Sequence, residues 1–354
     1  MAQTFWLRAE TKENEFRRAL TPNDCAQIIA AGHTIYVEDW KESVIPINEY
    51  TKMGCLSVAA NSWQTEAPEN AVVLGLKELP KDISNFKHTH IYFAHAYKEQ
   101  EGWEELLGKF KTGGGKIIDL EYMVDSNRHR VCAFGYWAGY VGAALGALYS
   151  KAKDPKQATI ELQKRKQFED KQDLVDLINK YTGKKGSGIV IGCNGRSGVG
   201  ATDLLNNIGW KAIGWDLKET ASGGPFKEIL NYDLFVNCVL STRKIPPFIT
   251  RELIEKDNVN LKVISDVTCD PDSDCNVVPL YTEATKLDAP IIQVTNGNLP
   301  VQLMAIDNLP SILPKESSYD FSNQLAPFII NYNELEGPIS NALKTYESHL
   351  KKID

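Results

Sequence analysis

The 354-residue sequence predicts an α/β protein of two domains, each built on a mostly parallel sheet. Three observations lead there. Strands and helices alternate in two separate series. Several strands are continuous apolar runs, as expected of strands covered on both faces. A long uncharged segment and a charged helical stretch divide the two series. The length suits two domains of ordinary size.

In the first series "FWLRAE" (5–10) reads as a strand. "TPNDCAQIIAAG" (21–32) reads as a helix, with Thr21 as cap, Pro22 in the first turn, Asp24 at the positive end and Gly32 as stop. "HTIYVED" (33–39) is a strand, "INEYTKMG" (47–54) a short helix, and "CLSVAA" (55–60), "AVVLGL" (71–76) and "HIYFAH" (90–95) are strands. An amphipathic helix stopped by glycines (99–115) and the strand "KIIDLEYM" (116–123) close the series. "CAFGYWAGYVGAALGALYS" (132–150) is nineteen residues without charge, long enough to span a bilayer. With a polar pattern elsewhere and no second span, it reads instead as a buried helix whose glycines allow close approach to neighbouring backbone. Residues 151–188 are charged and helical. The second series has strands at 188–193, 211–216, 233–240, 261–267 and 290–295, with a helix over 196–209. The tail from 299–314 onward reads as helical and is expected to return to the first domain.

Composition narrows the function. Lys+Arg 39 against Asp+Glu 46 gives a net charge of −7, with no basic stripe for phosphate backbones, so no nucleic-acid partner is expected. An anionic substrate would need a local cluster of basic side chains. The seven cysteines include no CxxC pair, and the N-terminal segment has no apolar signal core, so a reduced, cytoplasmic setting is expected. No membrane association is expected, and a monomer is the assembly assumed. His88, His90 and His95 match no ligand spacing, and no metal is expected.

"IVIGCNGRSGVGATDLL" follows a strand and opens a helix, with glycines at Gly192, Gly195, Gly198 and Gly200. The spacing is GxxGxxGxG and not GxGxxG. A helix N-terminus still offers unpaired N–H groups, and glycines let a pyrophosphate approach. Asp216 ends the next strand at about the distance expected of the acid that binds the adenosine ribose. A carboxylate there favours NAD over NADP. As a plain turn the loop would mean little; strand, loop, helix and acid in order point to NAD.

Two apolar runs of the first series finish in ionisable groups, Lys77 and His95. Ligands of open parallel sheets bind beyond the carboxyl ends of the strands. Taken singly, Lys77 reads as a surface lysine and His95 as a structural histidine. In a chain with a dinucleotide loop, they read as proton carriers facing the nicotinamide. Arg17, Arg18 and Arg130 are candidate grips for carboxylates.

Beyond these motifs, the segments "LRAETK" (7–12), "ALTP" (19–22), "GLKELP" (75–80), "FAHAYK" (93–98), "DLEYM" (119–123), "AFGYWAGYVGAALG" (133–146), "GRSGVGA" (195–201), "WDLKETASGGPF" (215–226) and "IDNLPSILP" (306–314) resemble the NAD-dependent, lysine-forming saccharopine dehydrogenases. The N-terminal part also resembles alanine dehydrogenases. The resemblance implies two Rossmann-like domains with an interdomain cleft. It places a substrate-binding domain at 1–131 plus 314–354 and an NAD-binding domain at 132–313. It implies oxidation of saccharopine by NAD to lysine and 2-oxoglutarate through an imine that water hydrolyses. It assigns the acid–base pair to Lys77 and His95. Substrate contacts go to Arg17, Lys77, Gln100, Arg130 and Phe134, and cofactor contacts to Gly195, Arg196, Asp216, Thr220, Val267, Ile306, Asp307, Asn308 and Leu309. Glu78 and Glu121 would tune the lysine by charge. Three positions depart from the family pattern. His129 replaces an arginine beside Arg130, Leu240 a tyrosine near the adenine, and Ser197 a cysteine of the glycine loop. The competing readings are a dehydrogenase of a small amino acid such as alanine and a non-catalytic NAD-sensing protein.

Overall fold

The computed structural model describes residues 2–182, 185–255, 259–295, 300–332 and 336–353. Contacts between α-carbons divide the chain into two units, Met1–Ala133 with Pro314–Asp354, and Phe134–Leu313.

The first unit runs β1 (Thr4–Leu7), α1 (Pro22–Ala30), β2 (Thr34–Asp39), α2 (Ile47–Lys52), β3 (Leu56–Ala59), α3 (Trp63–Glu66), β4 (Val72–Leu74), β5 (Thr89–Tyr92), α4 (Trp103–Gly113) and β6 (Lys116–Asp119). Its sheet has the order β3-β2-β1-β4-β5-β6 with every pair parallel. Phe5 and Trp6, Val72 and Val73, and Ile117 and Ile118 are all buried. Both faces of the sheet are therefore covered at β1, β4 and the edge strand β6, which is why these strands read as unbroken apolar runs. The strand order reverses between β1 and β4, the switch point at which open parallel sheets bind ligands. The strands end earlier than the apolar pattern suggests. Beyond Leu7 the side chain of Glu38 takes the N–H of Ala9 at 2.7 Å. Beyond Tyr92 the chain turns through His95, whose φ is +51°. Thr21 does precede the first helix, but its hydroxyl donates to Asp24 at 2.8 Å and makes no cap bond to the backbone.

The second unit begins with α5 (Gly135–Lys151), α6 (Pro155–Arg165) and α7 (Lys171–Thr182). Residues 183–184 of the charged stretch lie outside the described residues. Then come β7 (Ser187–Ile191), α8 (Arg196–Asn207), β8 (Lys211–Trp215), β9 (Leu234–Asn237), α9 (Arg251–Ile254), β10 (Val263–Asp266), β11 (Ile292–Gln293) and β12 (Gln302–Met304). The sheet order is β11-β12-β10-β9-β7-β8, parallel except for the antiparallel edge strand β11. Its switch point lies between β7 and β9. The uncharged α5 is buried from Gly139 to Tyr149 and packs on α7, α8, β9 and β10. At Gly139 an added Cβ would overlap the carbonyl of Ser197, so glycine is what lets α5 touch the backbone of α8. Among the described residues no helix is long and apolar enough to cross a membrane.

The helical reading of 299–314 is corrected. Leu299 lies outside the described residues, and Gln302–Met304 is a strand paired in parallel with Val263–Ser265. A three-residue-per-turn helix follows at Leu309–Ile312. A short apolar run is compatible with helix or buried strand, and the sheet edge decided it. The chain then returns to the first unit as α10 (Pro314–Ile330) and α11 (Gly337–Leu350). Ser318 and Ser322 of α10 accept the backbone N–H groups of Arg18 at 2.9 Å and Thr21 at 2.8 Å.

Candidate active site

In the first unit, Lys77 and His95 stand beyond the carboxyl ends of the neighbouring strands β4 and β5, with Lys77 at the switch point. The ladder continues past the strands, because Gly75 N–H donates to Ile91 O at 3.0 Å and Phe93 N–H to Leu76 O at 3.2 Å. That register brings the two turns side by side. His95 is exposed and holds a left-handed backbone, a conformation that costs a non-glycine residue ~1–3 kcal/mol and recurs at functional sites. Its ring stacks near Phe93, with centroids 6.5 Å apart.

Carboxylates surround the pair. Glu15 is fully buried. Burial pushes its pKa up, but the Arg17 guanidinium and then Lys77 outweigh this and hold it at about 2. Glu78 is about half exposed; partial desolvation pushes its pKa up, but its own backbone N–H, Lys12, Lys77 and His95 outweigh this and lower it. Glu121 is lowered against its burial by its bond to Lys98 at 2.9 Å, and by Arg130 and His95. Glu78 thus lies in the field of both Lys77 and His95, and Glu121 in that of His95. Beneath them Asp119 is buried at the end of β6. Its Oδ1 accepts Glu121 N–H at 2.9 Å, but burial raises its pKa to about 7. Its Oδ2 and the hydroxyls of Tyr92 and Tyr97 find no hydrogen-bond partner among the described residues.

The candidate substrate residues divide. Arg17 is buried and forked onto Glu15, with Nε at 2.7 Å and Nη2 at 2.6 Å. Arg130 is exposed, bridges to Val124 and lies in the field of Glu121. Gln100 accepts Lys98 N–H at 3.0 Å and lines, with Glu78, His95 and Lys12, a cavity of about 770 Å³. Arg18 is no anion grip. It is buried and donates to Ser43 Oγ at 2.9 Å, Arg8 O at 3.2 Å and Glu38 O at 2.7 Å. Phe134 belongs to the second unit, just before α5. Sequence reasoning misses Glu15, Lys12, Lys98 and Asp119. For Glu15 the one available signal is an acid two residues before an arginine.

The second unit gathers the candidate cofactor residues at the carboxyl edge of its sheet. The loop after β7 leads to Gly195 at the N-cap of α8, with Arg196 as the first helical residue. An added Cβ at Gly198 would overlap the carbonyl of Gly192, whereas at Gly195 it would meet only that oxygen at 3.4 Å. The loop is therefore tight below and open above. First-turn N–H groups of a helix have no intrahelical acceptor and suit a phosphate. Asp216 follows β8. Its Oδ2 accepts Asn194 N–H at 2.9 Å and its Oδ1 accepts Leu217 N–H at 2.8 Å, so the acid also braces the glycine loop. Thr220 Oγ1 donates to Asp216 O at 2.9 Å. Val267 follows β10 and donates its N–H to Asn237 O at 3.0 Å. Ile306–Leu309 follow β12, with Asn308 at φ +68°. The cradle, the open face of Gly195 and the acid at the next strand end fit a dinucleotide.

Similarity to known proteins extends over both units. Residues 6–141 match the family described as "Alanine dehydrogenase/PNT, N-terminal domain". The saccharopine dehydrogenase [NAD(+), L-lysine-forming] of Emericella nidulans is 40% identical over 346 residues, 94% of this chain and 92% of that protein. The protein of the same name from Schizosaccharomyces pombe is 38% identical and covers 100% of both chains. This chain belongs to the lysine-forming saccharopine dehydrogenase family. A solved L-alanine dehydrogenase superposes with a TM-score of 0.65 at 17% identity over 98% of this chain and 93% of that one, which shows a shared α/β architecture.

The departures from the saccharopine dehydrogenase pattern all lie at the surface or in the first turn of α8. His129 is exposed, with Nδ1 3.7 Å from Asp125 Oδ2. Leu240, after β9, is 55% exposed, large for an apolar side chain. Ser197 stands in the first turn of α8, and all seven cysteines are free thiols.

Proposed function

We propose that this protein catalyses the reversible oxidative deamination of L-saccharopine to L-lysine and 2-oxoglutarate with NAD. The full-length kinship to lysine-forming saccharopine dehydrogenases carries the reading. Saccharopine, NAD and water give lysine, 2-oxoglutarate, NADH and a proton. Bound NAD supplies the hydride acceptor. Gly195, Arg196, Asp216, Thr220, Val267 and Ile306, Asp307, Asn308 and Leu309 hold it. Asp216 favours NAD because its carboxylate repels a 2′-phosphate. Arg17, oriented by Glu15, acts with Lys77, Gln100, Arg130 and Phe134 on the substrate, whose three carboxylates need a basic locale in an acidic protein.

Lys77 and His95 carry the protons. The secondary amine must be unprotonated before hydride leaves the adjacent carbon. Water gives up a proton as it adds to the imine, and the leaving lysine amine gains one as the carbinolamine collapses. These transfers are divided between the two side chains, set beyond adjoining strand ends. The expected setting is a monomer in the cytoplasm.

The deciding assay follows absorbance at 340 nm with NADH, 2-oxoglutarate and a panel of amines. Lysine is expected to be the preferred amine and NADPH a poor substitute. Faster turnover of pyruvate with ammonia would make the protein an alanine dehydrogenase type. NADH binding without turnover of any pair would make it an NAD sensor.

A further inference from the structure

We infer that Arg8 and Glu10 are positioning residues for Lys77: they grip the two peptide groups that flank its α-carbon and so fix the direction in which its side chain leaves the sheet edge. The inference rests on the reading of Lys77 as a proton carrier.

A residue has two soft backbone dihedrals, so fixing the peptide planes on either side of it fixes where its Cβ points. Before Lys77, its N–H donates to Glu10 Oε2 at 2.9 Å. After it, its carbonyl accepts from Arg8 Nη2. Glu10 Oε1 takes the N–H of Leu76 at 2.7 Å, so one carboxylate spans two consecutive N–H groups. Arg8 Nη1 closes onto Glu10 Oε2 at 3.2 Å and donates to Ala9 O at 3.1 Å. Gly75 makes room for this, since an added Cβ there would overlap the Arg8 guanidinium. The clamp is itself anchored. Glu38 Oε2 holds Ala9 N–H at 2.7 Å, and Arg18 Nη1 holds Arg8 O at 3.2 Å.

Arg8 is 1% and Glu10 7% exposed. A buried ion pair is a poor way to gain stability, because desolvation offsets most of the attraction. It is a good way to hold a backbone still, because charge-assisted hydrogen bonds are short and directional. Acid–base transfer depends on such placement. An error of 1 Å in a reacting group costs ~100-fold in rate.

The test compares Glu10→Gln, Arg8→Lys and Gly75→Ala with the parent and with Lys77→Met. The measurements are kcat, KM, the pH profile of kcat, NADH affinity by fluorescence, and Tm. Folded Glu10→Gln and Arg8→Lys are expected to lose ~10–100-fold in kcat, with NADH affinity within about twofold of the parent and the limbs of the pH profile displaced. Arg8→Lys keeps the buried charge and serves if Glu10→Gln does not fold; Gly75→Ala should reproduce the loss by displacing Arg8. A lowered Tm with kcat within about threefold of the parent and an unchanged profile would make the pair purely structural and overturn the inference. Lys77→Met impaired while the folded clamp variants are not would overturn the clamp alone. Full turnover in Lys77→Met would overturn both the proton-carrier role and the clamp.

Discussion

Lys77 lies in the field of Glu15 and Glu78, and His95 in that of Glu78 and Glu121. As a proton carrier, Lys77 is expected to cost two to four orders of magnitude in turnover when changed to Met, the usual range for such groups. NADH titration by fluorescence should be unchanged, since the glycine loop and Asp216 belong to the other unit. Asp119 makes a separate prediction. Its pKa is raised by burial from 3.8 to about 7, so the folded protein binds more protons than the unfolded chain between those values. Stability from this group is present at acid pH and lost as pH rises through about 7. Asp119→Asn should flatten the decline in Tm between pH 5 and pH 8, because an amide keeps an acceptor for Glu121 N–H without charging. An unaltered decline would mean that other groups produce it.

At the scale of the element, the α5–α8 contact governs the glycine loop. Gly139→Ala is expected to lower Tm and weaken NADH binding together, since the new methyl would push on Ser197 in the first turn of α8. Weaker binding without a change in Tm would separate the contact from the fold. Asp216→Ala should weaken NAD by two routes, the ribose hydroxyls and the lost brace on Asn194. Asp216→Asn, which retains an acceptor, should be milder in a titration with NADH. A parent that prefers NADP would remove the ribose argument. The strand–helix alternation and the strand ends bearing Lys77 and His95 were legible because burial on both faces writes itself as apolar runs. The clamp of Arg8 and Glu10 was not, since "LRAE" continues a strand pattern while its carbonyl and amide groups bond to side chains. Gln302–Met304 was misread for a similar reason. Its strand depends on a partner 39 residues earlier, Val263–Ser265.

For the molecule as a whole, the core of the first unit carries an unusual feature. His90 is buried among Trp63, Phe86 and Phe110, and neither ring nitrogen has a hydrogen-bond partner among the described residues. Burial, then Arg8 and His88, hold its pKa well below the usual value. The unfolded chain therefore takes up a proton that the folded one refuses, and stability falls as pH drops below about 6.5, by up to ~1.4 kcal/mol per pH unit. His90→Phe should blunt that acid loss in thermal melts between pH 7 and pH 5. An equal loss in the variant would assign it to other groups. With a net charge of −7, an anionic substrate needs a local set of basic side chains, the role proposed for Arg17, Lys77 and Arg130.

The sequence by itself determined the fold class, the two α/β series, the glycine loop with its acid and the family, because these depend on periodicity and on residues close in the chain. Only the tertiary structure decided that Arg18 is structural, that Glu15 orients Arg17, that Asp119 lies buried under the His95 turn and that Arg8 and Glu10 grip Lys77. The Arg18 and Arg8–Glu10 contacts rest on which backbone groups a side chain reaches once segments far apart in sequence lie side by side, and the states of Glu15 and Asp119 rest on how much water the fold excludes around them.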